Sequence, residues 1–200
     1  MHYIVLDLEF NQGFDIKNNE TVNNPSCPFE IIQIGAVKMD EDLNIVESFN
    51  EFIKPQIYTD IHPYVAEITG INKNRLKHAL CFNEAYEKFK QFLGCSENIF
   101  CVWGLVDITE LFRNIKFYSL EHSSISKKYI NLQHHASKYF GCPRGINIGL
   151  SNAVSILELE EIYKFHDALG DAYYTSEIFK NIYNRNIKPV YYCLPKSKKA

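Results

Sequence analysis

The chain has no apolar run of the roughly 18 residues that a membrane-spanning helix requires. It has no basic segment followed by an apolar stretch and a small-residue cleavage site, so no secretory leader is visible. Strand-like sequence begins almost at Met1, which points to a structural native start. No C-x-x-C pair occurs among the six cysteines, Cys27, Cys81, Cys95, Cys101, Cys142 and Cys193. That removes the usual zinc-ligand spacing, and a core of this size needs no disulfide staples. Reduced thiols in a cytoplasmic protein are therefore expected. Positive charge is not in excess, with 21 Lys and Arg against 24 Asp and Glu and a net charge of −3. Such a balance argues against coating long duplex nucleic acid through many phosphates. It leaves room for an enzyme that grips a few nucleotides and carries its own cations. The terminal "KSKKA" is basic and reads as a soluble end. No internal repeat or low-complexity tract appears.

What is present fits one sizeable domain. The 200 residues are 46% apolar, enough for a real core. A domain over 1–185 and a tail over 186–200 are expected. Tyr3 to Phe10 reads as a central strand, apolar on both faces. "NQGFDIKNNETVNNPSCP" follows as a long Asn-rich loop, a candidate mobile lid beside Glu9. "FEIIQIGAVKMD" and "IVESFNEFIKP" read as two further strands, which the short turn between them makes an antiparallel meander with the first. Helices are expected in "IHPYVAEITGI", stopped by Gly70, and in "FNEAYEKFKQFLG", with Phe82, Ala85, Tyr86, Phe89, Phe92 and Leu93 at helical spacing. "NIFCVWG" reads as a fourth strand. "DITELFRNIKFY", "NLQHHASKYFG", "GLSNAVSILEL" and "HDALGDAYYTSEIFKNIYNRN" read as helices. Strands first, then helices interleaved with strands, predict a mixed sheet covered by helices.

The first strand carries two acids, Asp7 and Glu9. Residues two apart on a strand share a face, so two carboxylates stand side by side. Their repulsion is relieved by a cation between them, and hard oxygen ligands suit Mg²⁺ or Mn²⁺. A strand that exits into solvent accounts for the pair equally well. Asp107 follows the fourth strand near a helix start, where capping alone favours an acid. His166 and Asp171 lie about 140° apart on a continuous helix. They share a cleft only if His166 precedes the helix and Asp171 opens it, and Asp167 competes for the same part. Taken together, four carboxylates and a histidine at element ends suit two-metal phosphodiester hydrolysis, with the histidine taking a proton from water.

These motifs resemble the DEDDh 3′→5′ exonucleases, the superfamily of polymerase proofreading subunits, ribonuclease T and oligoribonuclease. "VLDLEF" matches its D-x-E, "WGLVD" its second acid at Asp107, and "HDALGD" its H-x-A-x-x-D. The last match favours Asp171 over Asp167. "DLEFNQ", where many relatives read D-x-E-T, is similar to the histone-mRNA and small-RNA trimming branch and to bacterial sporulation-inhibitor-like members. The resemblance implies an α/β, ribonuclease H-like fold with a five-stranded mixed sheet and helices on both sides. The fifth strand falls best on Tyr129 to Asn131. It implies two Mg²⁺ or Mn²⁺ held by Asp7, Glu9, Asp107 and Asp171, with His166 as general base. Phe10 stands where the family often contacts the terminal nucleotide, and an aromatic there can stack on a base or equally belong to the core. Ile71 would wedge near the terminal bases, and Thr69 would help shape that pocket. The implied partner is a single-stranded RNA or DNA 3′ end, the products are nucleoside 5′-monophosphates, and no membrane is involved. The competing readings are a binding module of the same fold without turnover, and another metal-dependent phosphohydrolase cutting internally or acting on small nucleotides. The choice of RNA or DNA and the oligomeric state are not written in the sequence.

Overall fold

The computed structural model describes residues 1–15 and 17–193. The basic "KSKKA" end lies outside the described residues. β1 (His2–Asn11) runs through the middle of the sheet. Its side chains alternate, so Ile4, Leu6 and Leu8 enter one core while Tyr3 and Val5 enter another. Burial on both faces explains its almost unbroken apolar sequence. β2 (Phe14–Asp15) and β3 (Glu20–Thr21) pair only with each other. β4 (Glu30–Met39) lies antiparallel to β1, and β5 (Ile45–Phe52) antiparallel to β4, which is the expected meander. On the other side of β1, β6 (Asn98–Val102) and β7 (Lys128–Asn131) run parallel to it. β8 (Val190–Tyr191) closes the edge antiparallel to β7.

The sheet therefore has six strands, in the order β5-β4-β1-β6-β7-β8, rather than five. The extra strand is two residues long and exposed, so it left no periodic pattern to read. The strand expected at Tyr129 to Asn131 is β7. The long Asn-rich stretch holds the β2–β3 hairpin, and its base is fastened. Tyr58 Oη donates to Cys27 O at 2.9 Å and accepts from Asn24 N at 2.6 Å. Past residue 185, Ile187 is buried and Tyr192 stacks on Phe112 with ring centroids 5.0 Å apart.

Seven helices occur among the described residues. α1 (Pro63–Thr69) begins with proline, whose missing N–H costs nothing there, and ends at Gly70 with φ +73°. α2 (Lys73–Leu76) is one turn. α3 (Phe82–Leu93) and α4 (Val106–Phe117) cover the face receiving Leu6 and Leu8. α5 (Leu132–Tyr139), α6 (Leu150–Ile156) and α7 (Ala168–Ile182) cover the face receiving Val5. Each buried Ile, Leu or Phe contributes about 1.5–3 kcal/mol, so the two layers hold β1 rigidly where its acids emerge.

Candidate active site

Asp7 and Glu9 stand on the α7 side of the sheet, near the C-terminal end of β1. Asp7 is half-buried and Glu9 is 8% exposed. Across the β4 ladder they face Gly35 and Gln33. Gly35 is a packing requirement. A Cβ there would lie 2.1 Å from the carbonyl carbon of Ala168 and 2.2 Å from Leu169 N. With no side chain in between, the first turn of α7 rests directly on β4, beside Asp7.

That turn separates the two competing acids. Asp167 is the N-cap of α7, accepting from Gly170 N at 3.2 Å and from Gln33 Nε2 at 3.2 Å. Asp171 lies one turn further, 8% exposed, and its Oδ2 accepts from His166 N at 3.0 Å. Its Oδ1 is buried with no hydrogen-bond partner. His166 precedes the helix with φ +61°, a conformation that costs a non-glycine residue of order 1 kcal/mol. Its ring is exposed. Single ligand atoms of Glu9, His166 and Asp171 all lie within 4.8 Å of one another. Asp107 is the second residue of α4, but it does not cap that helix. The N-cap is Leu105, and Asp107 Oδ1 accepts from Leu8 N of β1 at 3.2 Å.

The electrostatics follow from this crowding. Burial, reinforced by Asp107, Asp171, Glu9 and Asp167, holds the Asp7 carboxyl well above the usual carboxylate range. Burial and the neighbouring acids push Glu9 up to about 8. Burial raises Asp107 to about 7, against hydrogen bonds from backbone amides including Leu8. Asp171 is raised to about 6, chiefly by burial. Acids in this state want a cation. The oxygen-rich donor set and the partnerless Asp171 Oδ1 fit a hard divalent ion such as Mg²⁺ or Mn²⁺. Glu9, His166 and Asp171 bring ligand atoms within 4.8 Å of one another and could hold it, with Asp7 on the same strand face as Glu9 and Asp107 tied to Leu8 N next to Asp7.

Phe10, Thr69 and Ile71, expected at the terminal nucleotide, are held by packing and backbone bonds. Phe10 packs against the α3–α4 core, its ring 6.1 Å from that of Phe29. Thr69 Oγ1 donates to Val65 O and accepts from Ile71 N at 2.9 Å, tying the turn after α1. Ile71 is buried with Ile32, Val65 and Leu76. Three supporting residues escaped the sequence reading. Gln33 bonds Asn50 and Asp167 and accepts from Ala168 N, so it seats α7. Asn11, fully buried, donates to Tyr58 O and Asp60 O and accepts from His62 N, each at 2.9 Å. Glu30, 2% exposed, accepts from the backbone amides of Gln56, Ile57 and Tyr58 and from Tyr118 Oη. Gln33 carries the same signal as Asp7, a polar residue inside an apolar strand, whereas Asn11 ends β1 and Glu30 opens β4, where a polar residue is ordinary.

The "3'-5' exonuclease crn-4" of Caenorhabditis elegans is 26% identical, covering 87% of this chain and 63% of that protein. A PolC-type DNA polymerase III of Caldanaerobacter subterraneus is 38% identical over 79 residues, 40% of this chain and 5% of that protein. The chain thus spans less than two thirds of these curated relatives. The nuclease domain of 3'hExo, a DEDDh family member solved bound to rAMP, superposes with a TM-score of 0.75. It is 20% identical over 90% of both chains, a likeness of fold. The exonuclease family model RNase_T matches residues 4–179, a span that contains Asp7, Glu9, Asp107, His166 and Asp171. The chain belongs to the RNase T-type exonuclease family.

Proposed function

We propose that the protein is a 3′→5′ exonuclease that shortens single-stranded RNA or DNA and releases nucleoside 5′-monophosphates. The observation that carries this reading is the meeting of Glu9, His166 and Asp171 within 4.8 Å at one end of β1, next to Asp7 on the same strand and to Asp107, which bonds Leu8 N. Two Mg²⁺ or Mn²⁺, held by the four acids, would supply activation of water and stabilisation of charge on the leaving oxygen. Asp107 and Asp171, which come from outside the strand, are fixed by Leu8 N of β1 and by His166 N. That leaves their other oxygens to aim into the cleft. His166 has an exposed ring beside Glu9 and Asp171, the position for a general base. An imidazole nitrogen of His166 takes the proton of the attacking water. The water oxygen bonds to the terminal phosphorus, and the bond to the 3′ oxygen of the preceding nucleotide breaks. Thr69 and Ile71 shape the turn bordering the terminal nucleotide, and the aromatic Phe10 supports the strand end from behind. The six cysteines, none in a disulfide, fit a reducing compartment such as the cytoplasm.

The test is one incubation series. Matched 5′-labelled single-stranded RNA and DNA are incubated with Mg²⁺, Mn²⁺ or EDTA, using wild type and His166→Ala. One-nucleotide steps that need metal and vanish in the variant are expected. Internal fragments, or shortening that persists in EDTA, would refute the reading.

A further inference from the structure

Beyond the catalytic cluster, the segment after β5 builds a second feature at the same end of the sheet. A groove of about 380 Å³ is lined by Lys54, Pro55, Thr59, Ile61, Lys73, Asn74, Leu76 and Lys77. Its floor is apolar, made by Pro55, Ile61 and Leu76. Leu76 and Ile61 belong to the apolar cluster that buries Ile71, so the groove wall and the turn after α1 are one packed unit. Its rim is cationic. Lys54, Lys73 and Lys77 are all exposed, and the stretch "NKNRLKH" holds three cations and no acid in a chain of net charge −3. One acid intrudes, Asp60, which pairs with Lys73 at 3.0 Å. Arg75 adds a further cation, its guanidinium 4.1 Å from the Phe52 ring centroid.

The strand register fixes where this charge lies relative to the acids. Glu9 faces Gln33 on β4, and Gln33 faces Phe52 on β5. Phe52 is therefore two strand spacings from Glu9, about 10 Å. Arg75 covers Phe52, and Lys54 lies two residues beyond it. The distance suits the nucleotides just upstream of a 3′ end held at Glu9 and Asp171.

We propose that this groove binds the upstream part of a single-stranded nucleic acid, with the lysines on its phosphates and the apolar floor against a base. Both features are needed for that occupant: phosphates require cations, and an unpaired base offers an apolar face. The volume is within the range of sites that enclose small ligands. The proposal rests on the exonuclease reading for its direction, since the acids define where the 3′ end sits.

The test separates binding from turnover. Fluorescent single-stranded RNA and DNA 12-mers are titrated in EDTA over a range of salt, against wild type and the double variant Lys54→Ala/Lys77→Ala. Lys73 is left in place because its removal would free Asp60. Two lost phosphate contacts should flatten the plot of log affinity against log salt by about 1.4, at about 0.7 per contact on single strands. Affinity at low salt should fall about 10-fold, and Lys54→Arg/Lys77→Arg should restore it. Unchanged slope and affinity would overturn the groove while leaving the exonuclease reading intact. Unchanged nucleic-acid binding with lost polyglutamate binding would give the groove to an acidic protein segment and overturn it too. A wild type that shortens neither strand in Mg²⁺ would remove the exonuclease reading, and the slope would still decide whether the groove holds phosphates.

Discussion

Asp167 and Asp171 lie one helical turn apart and differ in every partner. Asp167 is used up by Gly170 N and Gln33. Asp171 keeps one buried oxygen free. Asp171→Asn should therefore lower kcat about 10³-fold, because several kcal/mol of metal-assisted stabilisation is at stake. Its melting temperature in EDTA should not fall, since a raised, uncompensated charge is removed. Asp167→Ala should instead cost about 1 kcal/mol of stability through the lost cap, with a far smaller loss of rate. Single-turnover kinetics and thermal melts of the two variants check this directly. If both lost activity equally, the division of labour between the acids would be wrong.

At the level of elements, the site depends on how closely α7 approaches β4. Gly35→Ala places a methyl group where the Ala168 and Leu169 backbone lies. Helix backbone cannot swing aside as a side chain does. The expected cost is about 1–3 kcal/mol, together with a fall in kcat as His166 and Asp171 are lifted from Glu9. Rescue of the melting temperature by a stabilising change elsewhere should not restore the rate. A second tie holds the loop into α1. Glu30 fastens residues 56–58 and Asn11 fastens 58–62, both through backbone groups. Glu30→Gln halves the acceptor capacity of a buried carboxylate and should destabilise by about 2–4 kcal/mol, measured by urea unfolding. An unchanged midpoint would show that the loop is held by other means.

For the whole molecule, the clustered acids set how stability depends on pH. Their folded values are raised, so the folded chain retains protons that the unfolded chain, with carboxyls near about 4, has released. Without metal, that contribution is fully present below about pH 4 and is lost as pH rises through about 6, 7 and 8 for Asp171, Asp107 and Glu9. Melts in EDTA should fall between about pH 5 and 8, and Mg²⁺ should raise the melting temperature more at pH 8 than at pH 5. An equal gain at both pH values would contradict the electrostatic account. The packed structure also continues beyond residue 185. Truncation there removes Ile187, β8 and the Tyr192 ring stacked on Phe112. The shortened chain should lose roughly 3 kcal/mol, read as a lower denaturation midpoint against the chain ending at Cys193.

The sequence by itself determined the central strand, the meander, the principal helices and the order of the acidic motifs. Those are local properties: alternation, helical spacing, and Gly70 and Gly94 as stops leave their mark in consecutive residues. The motif at His166 also pointed to Asp171 by its spacing, through the family pattern rather than through any local physics. The tertiary structure decided what no window of sequence contains. It assigned Asp107 to a bond with β1 instead of a cap, placed Phe10 against the core behind the acids, and added β8 and the β2–β3 hairpin. It also revealed that Gly35 and Gln33 seat α7 beside the acids, and that Asn11 and Glu30 hold the loop into α1. Each of these depends on partners distant in the chain, which are close only because two hydrophobic layers press the helices onto the sheet.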